Sequence, residues 1–227
     1  MRNLVMILVV GLGGAAILVW LGLWQVERLQ WKTAVLDEID ARITAAPVDL
    51  PPAPDRADDQ YMPVTVTGVL GAPVLRVLVS RPNDGAGHRL IAPMTVADDG
   101  RRVMVDLGFL PQGRAVPPLP EGTVTVEGNL LWPDEVDGFT PDPDAATGLW
   151  FARDADAMAA TLGTDPVLVV RRSGAGPEGV TPWPVSSAGI PNDHREYAIT
   201  WFSLAAIWLA MTGFLVYRMR KPEGGAV

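Results

Sequence analysis

Apolar residues gather at the two ends of the chain. Leu4 to Trp24 contains no charged side chain, and neither does Tyr197 to Tyr217. As a helix, each stretch is about 30 Å long, which matches the hydrocarbon core of a bilayer. The pattern therefore predicts two transmembrane helices, over residues 1–26 and 197–217. A secretory leader has an apolar region of only about 7–15 residues. Here apolarity runs on into Leu21-Gly22-Leu23-Trp24 without a small-residue cleavage site, so the first helix is expected to stay attached. Beyond it, Leu29, Leu36, Ile39 and Ile43 recur at helical spacing among Arg28, Lys32, Glu38 and Arg42, predicting a juxtamembrane helical extension over 27–46. Pro47 ends that helix, and Pro51, Pro52, Pro54, Asp55, Asp58 and Asp59 mark an extended linker over 47–60.

From Tyr61 the period changes. Short β-rich runs bounded by Gly and Pro follow: Val64 to Leu70, Val74 to Ser80, Arg89 to Val96, Arg102 to Phe109 and Val124 to Leu131. Alternation is clearest in Val64-Thr65-Val66-Thr67 and Val124-Thr125-Val126-Glu127. One helix interrupts them, with Asp154 as N-cap, Ala155 to Leu162 as body and Gly163 at the left-handed C-terminal position. A last strand, Val167 to Arg171, follows. The expected fold is a membrane protein in which two transmembrane α-helices flank a β-rich α+β domain over 61–185, an antiparallel sheet or small barrel with one helix. A re-entry loop over 186–196 leads to the second span, and residues 218–227 form a tail.

Composition agrees: 48% of residues are hydrophobic, despite 21 prolines and 23 glycines. Arg218, Arg220 and Lys221 crowd the exit of the second span and Arg2 precedes the first, so the positive-inside rule puts both termini in the cytoplasm. Arg28 and Lys32 oppose that bias on the far side of the first span, but Glu27, Asp37 and Glu38 lie among or just beyond them. In a bacterial inner membrane the middle part is then periplasmic. Between residues 27 and 196 lie 14 of the 18 basic and 25 of the 26 acidic side chains, a charge that repels nucleic acid and excludes it as a partner. There is no cysteine. Disulfide exchange, covalent c-type haem attachment and thiolate copper delivery are thereby excluded.

Imidazole chemistry must use His88 or His194. His88 lies in Asn83-Asp84-Gly85-Ala86-Gly87-His88, which reads as a solvated turn before a strand, with Asp84 near enough in sequence to suggest an acid-base pair. His194, in the polar mouth of the second span, is followed at heptad spacing by Trp201 and Trp208, so one helical face carries all three. On the first helix Trp20, Trp24, Arg28 and Trp31 also share a side. Two such faces can enclose a large flat aromatic ligand near the outer membrane surface. A porphyrin needs an imidazole for iron, aromatic walls and cations for its propionates. His194 suits the first, Trp201 and Trp24 the second, and Arg28 or Arg195 the third. The same residues also fit a bland account: Trp24, Trp31, Tyr197 and Tyr217 as an interfacial aromatic belt, Arg28 and Arg195 as snorkelling cations, and His194 as a hydrogen-bonding loop residue. Two small-xxx-small pairs, Gly11 with Ala15 and Ala206 with Ala210, would let the spans approach. No metal-ligand spacing, Ser-His-Asp set or paired-carboxylate arrangement stands out, and no catalytic residue is expected.

Leu21-Gly22-Leu23-Trp24-Gln25-Val26-Glu27-Arg28-Leu29-Gln30-Trp31-Lys32 resembles the Gly-x-Trp-Gln-x-x-Arg-x-x-x-Lys signature of the Surfeit-locus assembly factors for haem-copper cytochrome oxidases. Asn192-Asp193-His194 with Tyr197-Ala198-Ile199-Thr200-Trp201-Phe202 is similar to that family's Asn-x-His-x-x-Tyr-x-x-Thr-Trp signature. Between them, Gly108-Phe109-Leu110-Pro111 resembles its Gly-aromatic-x-Pro strand end, and Trp150 with Arg153-Asp154 the opening of its single helix. Arg195 replaces a usually apolar residue, and His88 a usual aromatic. The resemblance implies a non-enzymatic chaperone of the respiratory chain that binds haem a non-covalently and transiently and assists its insertion into cytochrome oxidase subunit I. His194 is then the axial ligand of the haem iron, with Trp201, Trp24, Arg28, Tyr197 and Arg195 around it. Implied partners are subunit I, haem a synthase and the lipid bilayer. The alternative is a cofactor-free membrane scaffold that holds oxidase subunits during assembly.

Overall fold

The structure, a computed structural model, describes residues 2–144 and 147–220. Lys221, used above for orientation, and the rest of the tail from 221 to 227 lie outside the described residues. The chain divides into two compact units, Met1–Glu38 with Ala188–Val227, and Ile39–Ser187.

The first unit is helical. Helix α1 runs Arg2–Thr44 and helix α4, the last of four among the described residues, His194–Arg220. Both are long and apolar enough to cross a membrane, with mean hydropathy 2.7 and 1.8 in their most apolar stretches. Val9, Leu12, Ile17 and Trp20 on α1, and Ile207, Met211 and Phe214 on α4, are each more than half exposed. Large apolar side chains left bare all along two helices suit a lipid solvent rather than water.

The second unit is a β domain. Its elements are β1 (Val48–Asp49), α2 (Arg56–Asp59), β2 (Pro63–Leu70), β3 (Leu75–Arg81), β4 (Gly85–Val96), β5 (Arg102–Pro111), β6 (Thr123–Leu131), β7 (Leu149–Trp150), α3 (Ala155–Leu162) and β8 (Leu168–Gly174). The strands form one sheet in the order β1-β2-β6-β8-β5-β4-β3-β7, and a further pairing of β2 with β4 closes β2, β6, β8, β5 and β4 into a ring. Closure leaves no bare edge on those five strands.

The expectation of an antiparallel sheet needs correction. The sheet is mixed, because β1 runs parallel to β2, β7 to β3, and β8 to β5. For β8 the reason lies in α3: the chain leaves β7, crosses over as a helix and returns as β8 between β6 and β5. Such a helical crossover is how a strand comes to lie parallel to a neighbour.

Two cores result. Inside the ring lie Val64, Val66, Leu90, Met94, Val105, Leu107, Val126, Leu130 and Val169. Between sheet and α3 lie Val77, Ile91, Met104, Trp150, Met158, Leu162, Leu168 and Val170. Successive residues of β5 and β8 point alternately into one core and the other. That is why these strands read as continuous apolar runs rather than as alternation. Helix α3 is bounded as the sequence predicts: the Asp154 carboxylate accepts from the Ala157 N–H at 3.0 Å, and Gly163 adopts φ 62°. The Pro/Asp-rich segment after α1 is tied to the domain, with β1 on β2 and the Arg101 guanidinium donating to the Pro51 and Pro52 carbonyls at 3.0 and 2.7 Å.

Candidate functional site

Helices α1 and α4 meet along a seam with a heptad rhythm. On α1 the covered positions are Gly11, Ala15, Gly22 and Gln25; on α4 they are Ala198 and Ala205, with Trp201 and Thr212 half-buried. Spacings of three and four are those of antiparallel helices packed at a shallow angle. Glycine is required where the partner's ring abuts the backbone. A Cβ on Gly14 would come within 2.7 Å of the Trp208 indole, and one on Gly22 within 2.7 Å of the Phe202 ring. The Trp208 indole N–H donates to the Gly11 carbonyl at 2.9 Å. The expected pair Gly11 and Ala15 is buried in the seam, whereas Ala206 and Ala210 are exposed. Ala206 follows Ala205 by one position and Ala210 precedes Thr212 by two, so both fall off the face that Ala198 and Ala205 turn to α1.

At the end of the seam distant from the termini, His194 meets Gln25. The imidazole Nδ1 lies 2.7 Å from the Gln25 Oε1. An amide oxygen only accepts, so Nδ1 carries the proton, and in the neutral ring the lone pair is on Nε2. This is the state in which histidine binds metals, with one nitrogen tied to an acceptor and the other offered to the ion. Gln25 is 8% exposed and His194 is half-buried, so the bond is partly shielded from water. In the sequence Gln25 stands within a motif, with no sign of a part in the site. Nothing in its local pattern points to a partner 169 residues away.

The other expected site residues are distributed around this pair. Trp201 follows His194 by two turns on the seam side and is half-buried. Trp24 directly precedes Gln25, so its side chain leaves the helix about 100° away from the seam; it is 43% exposed. Arg28, one turn further, is exposed and stacks on the Trp31 ring at 4.6 Å. Tyr197 and Arg195 are exposed beside His194. The tryptophan row of α1 thus lies on its open side, and glycines face α4 instead. Two apolar grooves of the helical unit flank Trp208, one lined by Val10, Gly11 and Thr212, the other by Gly14, Leu18 and Leu204. They lie about 20 Å along α4 from His194.

His88 is not in a turn. It is half-buried within β4, opposite Leu78 on β3 and Leu110 on β5. The strand starts earlier than expected because Gly85-Ala86-Gly87 pairs with β3 after a turn in which Asn83 and Gly85 have positive φ. Burial, then the nearby Arg76 charge, lowers the His88 pKa below the usual histidine value. Asp84 pairs with Arg81 at 3.3 Å, not with His88. Among the described residues, no group of three or more His, Asp or Glu comes together as a metal site.

A family model for the SURF1 family matches residues 12–206, from within α1 to within α4. The chain belongs to the SURF1 family. A SURF1-like protein of Monosiga brevicollis is 33% identical over 213 residues, covering 86% of this chain and 82% of the relative. Surfeit locus protein 1 of Rattus norvegicus is 27% identical over 227 residues, covering 90% and 73%. The protein of the same name in Homo sapiens is 27% identical over 209 residues, covering 82% and 69%.

In this SURF1-family chain, the motif residues between the two long helices pack within the β domain. Gly108, at φ 115°, lies under the Thr181 backbone, whose N–H and carbonyl bridge to Phe109 at 2.9 and 2.7 Å. Trp150 is buried against α3. Arg153 joins a polar cluster that the sequence did not reveal. Fully buried Asp106 accepts from Arg89 at 2.6 Å, from Arg153 at 3.3 Å and from the Gly108 N–H at 3.0 Å. Arg153 also forks onto Glu135, and Arg89 stacks on Trp183 at 4.1 Å. Every charge in the cluster has an opposite partner, which is what burial demands.

Proposed function

We propose that this SURF1-family chain is a membrane-bound assembly factor for a haem-copper cytochrome oxidase. It holds haem a reversibly on His194 and assists its insertion into subunit I. The carrying observation is the Gln25–His194 hydrogen bond at 2.7 Å, which presents Nε2 with its lone pair at one end of a helix pair suited to a bilayer. A non-covalent imidazole ligand fits a cargo that must later leave, and the chain contains no cysteine to attach it. Trp201 and Trp24 serve as aromatic walls, Arg28 and Arg195 as propionate donors, and Tyr197 as a further neighbour at the headgroup level. In this reading both termini are cytoplasmic, the β domain is periplasmic in a bacterial inner membrane, haem a synthase is a further partner, and no residue is catalytic.

The test is an absorption spectrum. Protein produced together with haem a synthesis and purified in detergent is expected to carry a Soret band, with haem a on pigment extraction. His194→Ala is expected to lose or shift that band. A wild-type protein without pigment, or a His194→Ala spectrum identical to wild type, rejects the assignment.

A cofactor-free scaffold is favoured by a different observation. Phe139 is 95% and Val136 52% exposed on a loop of the β domain, an apolar tip suited to a protein contact. Co-purification of colourless protein with subunit I when haem synthesis is blocked, lost in Phe139→Ser, supports that reading.

A further inference from the structure

We infer that Gln25 is the positioning residue of the His194 site, setting which imidazole nitrogen carries the proton and so which one is offered to a metal. The haem-dependent consequences rest on the reading proposed above.

The geometry is specific. The Gln25 Oε1 lies 2.7 Å from Nδ1, and Gln25 is buried at the seam within one turn of Gly22, whose backbone carries the Phe202 ring. Gln25 therefore lies on the face of α1 that packs against α4, with its amide oxygen on His194. A free histidine side chain prefers the proton on Nε2, which would leave the lone pair on Nδ1, next to the side-chain stem where a macrocycle cannot approach. An acceptor at Nδ1 reverses that preference. A glutamine, unlike a carboxylate, does so without adding negative charge, so the ring gains little basicity and a bound metal remains exchangeable. A carrier that must release its cargo needs this weaker hold.

The deciding experiment reads the tautomer in haem-free protein. Full-length protein in detergent, labelled with ¹⁵N at histidine and carrying His88→Gln to leave one imidazole, is examined at about pH 8.5, where imidazole side chains are ordinarily neutral. The ¹⁵N shifts are expected to show Nδ1 protonated and Nε2 bare. Gln25→Leu should convert the ring to the Nε2–H form or a mixture, and Gln25→Glu should keep Nδ1–H. Protonation on Nε2 in the parent protein, or no change in Gln25→Leu, overturns the inference.

Titration with haemin then separates the two claims. Gln25→Leu is expected to weaken binding by roughly 10- to 100-fold, the usual cost of losing a partner behind a metal ligand. Gln25→Glu should hold haemin at least as tightly and lower its reduction potential. A correct tautomer with no haemin binding by the parent protein would reject the haem reading while leaving the positioning role intact. Equal haemin affinity in Gln25→Leu and parent would overturn the positioning role.

Discussion

The Asp106 carboxylate has no exposed surface, and two guanidinium groups and a backbone N–H hold it in place. Breaking one side of such a pair leaves a buried charge alone, at a cost of about 3–5 kcal/mol. Asp106→Asn keeps the shape and removes the charge, so the β domain is expected to lose stability of that order in a denaturant titration; a loss below about 1 kcal/mol would show that water relieves the two arginines. Glu135 reports the same cluster by pH. Burial pushes its pKa up, but the hydrogen bonds and charge of Arg153, with a smaller contribution from Arg89, outweigh it and hold the carboxyl below its ordinary 4.5. A depressed folded pKa means that the stabilisation is complete above about 4.5 and fades as pH falls through the lower folded value. Glu135→Gln should therefore flatten part of the fall in melting temperature on acidification below about pH 4.5, and an unchanged slope would assign that fall to other carboxylates. Neither this cluster nor the Gln25 contact was legible in the sequence. Local pattern names polar residues but not partners, and Arg89, Asp106, Glu135 and Arg153 belong to four separate stretches of chain.

Most regular elements were legible, because their signals are local. The long strands β2 to β6 begin and end within a few residues of the runs read from the sequence, and α3 is bracketed by the cap residues that announce it. The two-residue strands β1 and β7 are too short to show a period. Closure of the sheet, and the parallel entry of β8, depend on which strand a run pairs with, and both faces of β5 are buried, so alternation there was silent. The heptad placing His194, Trp201 and Trp208 on one face was readable, and in the helix pair Trp208 proves to be a packing residue on Gly11 and Gly14. What the sequence could not show is that glycines, rather than the tryptophans of α1, meet that face. The seam itself can be tested, helped by the absence of native cysteine. A Cβ on Gly11 would come within 3.0 Å of the Thr212 Cβ, close enough for a disulfide after slight adjustment, while Gly13 faces open space. Gly11→Cys with Thr212→Cys should cross-link on mild oxidation, and Gly13→Cys with Thr212→Cys should not. Adding Gly14→Leu to the first pair should reduce the yield, since the Trp208 indole occupies the room that a side chain needs. Equal yields from the two pairs would mean that α1 and α4 do not meet on this seam.

At the scale of the whole molecule, each of the two units contains the means of its own organisation. Both hydrophobic cores, the sheet closure and the buried ion cluster lie within residues 39–187. The carbonyl of Ile43, at the start of that unit, is bound by Asn129 at 2.9 Å. Residues 39–187 alone are therefore expected to fold as a cooperative domain in water, with a single thermal transition and the near-ultraviolet signature of a packed Trp150. The same fragment separates the two histidines, since it contains His88 and lacks His194. If the cargo is held by His194, the fragment stays colourless when titrated with haemin, and the full-length chain with His88→Gln still takes up pigment. A Soret band on the folded fragment would transfer the site to β4 and leave the helix pair as an anchor. A fragment that fails to melt cooperatively would instead show that the β domain depends on the helical unit for its stability, against the completeness of its two cores.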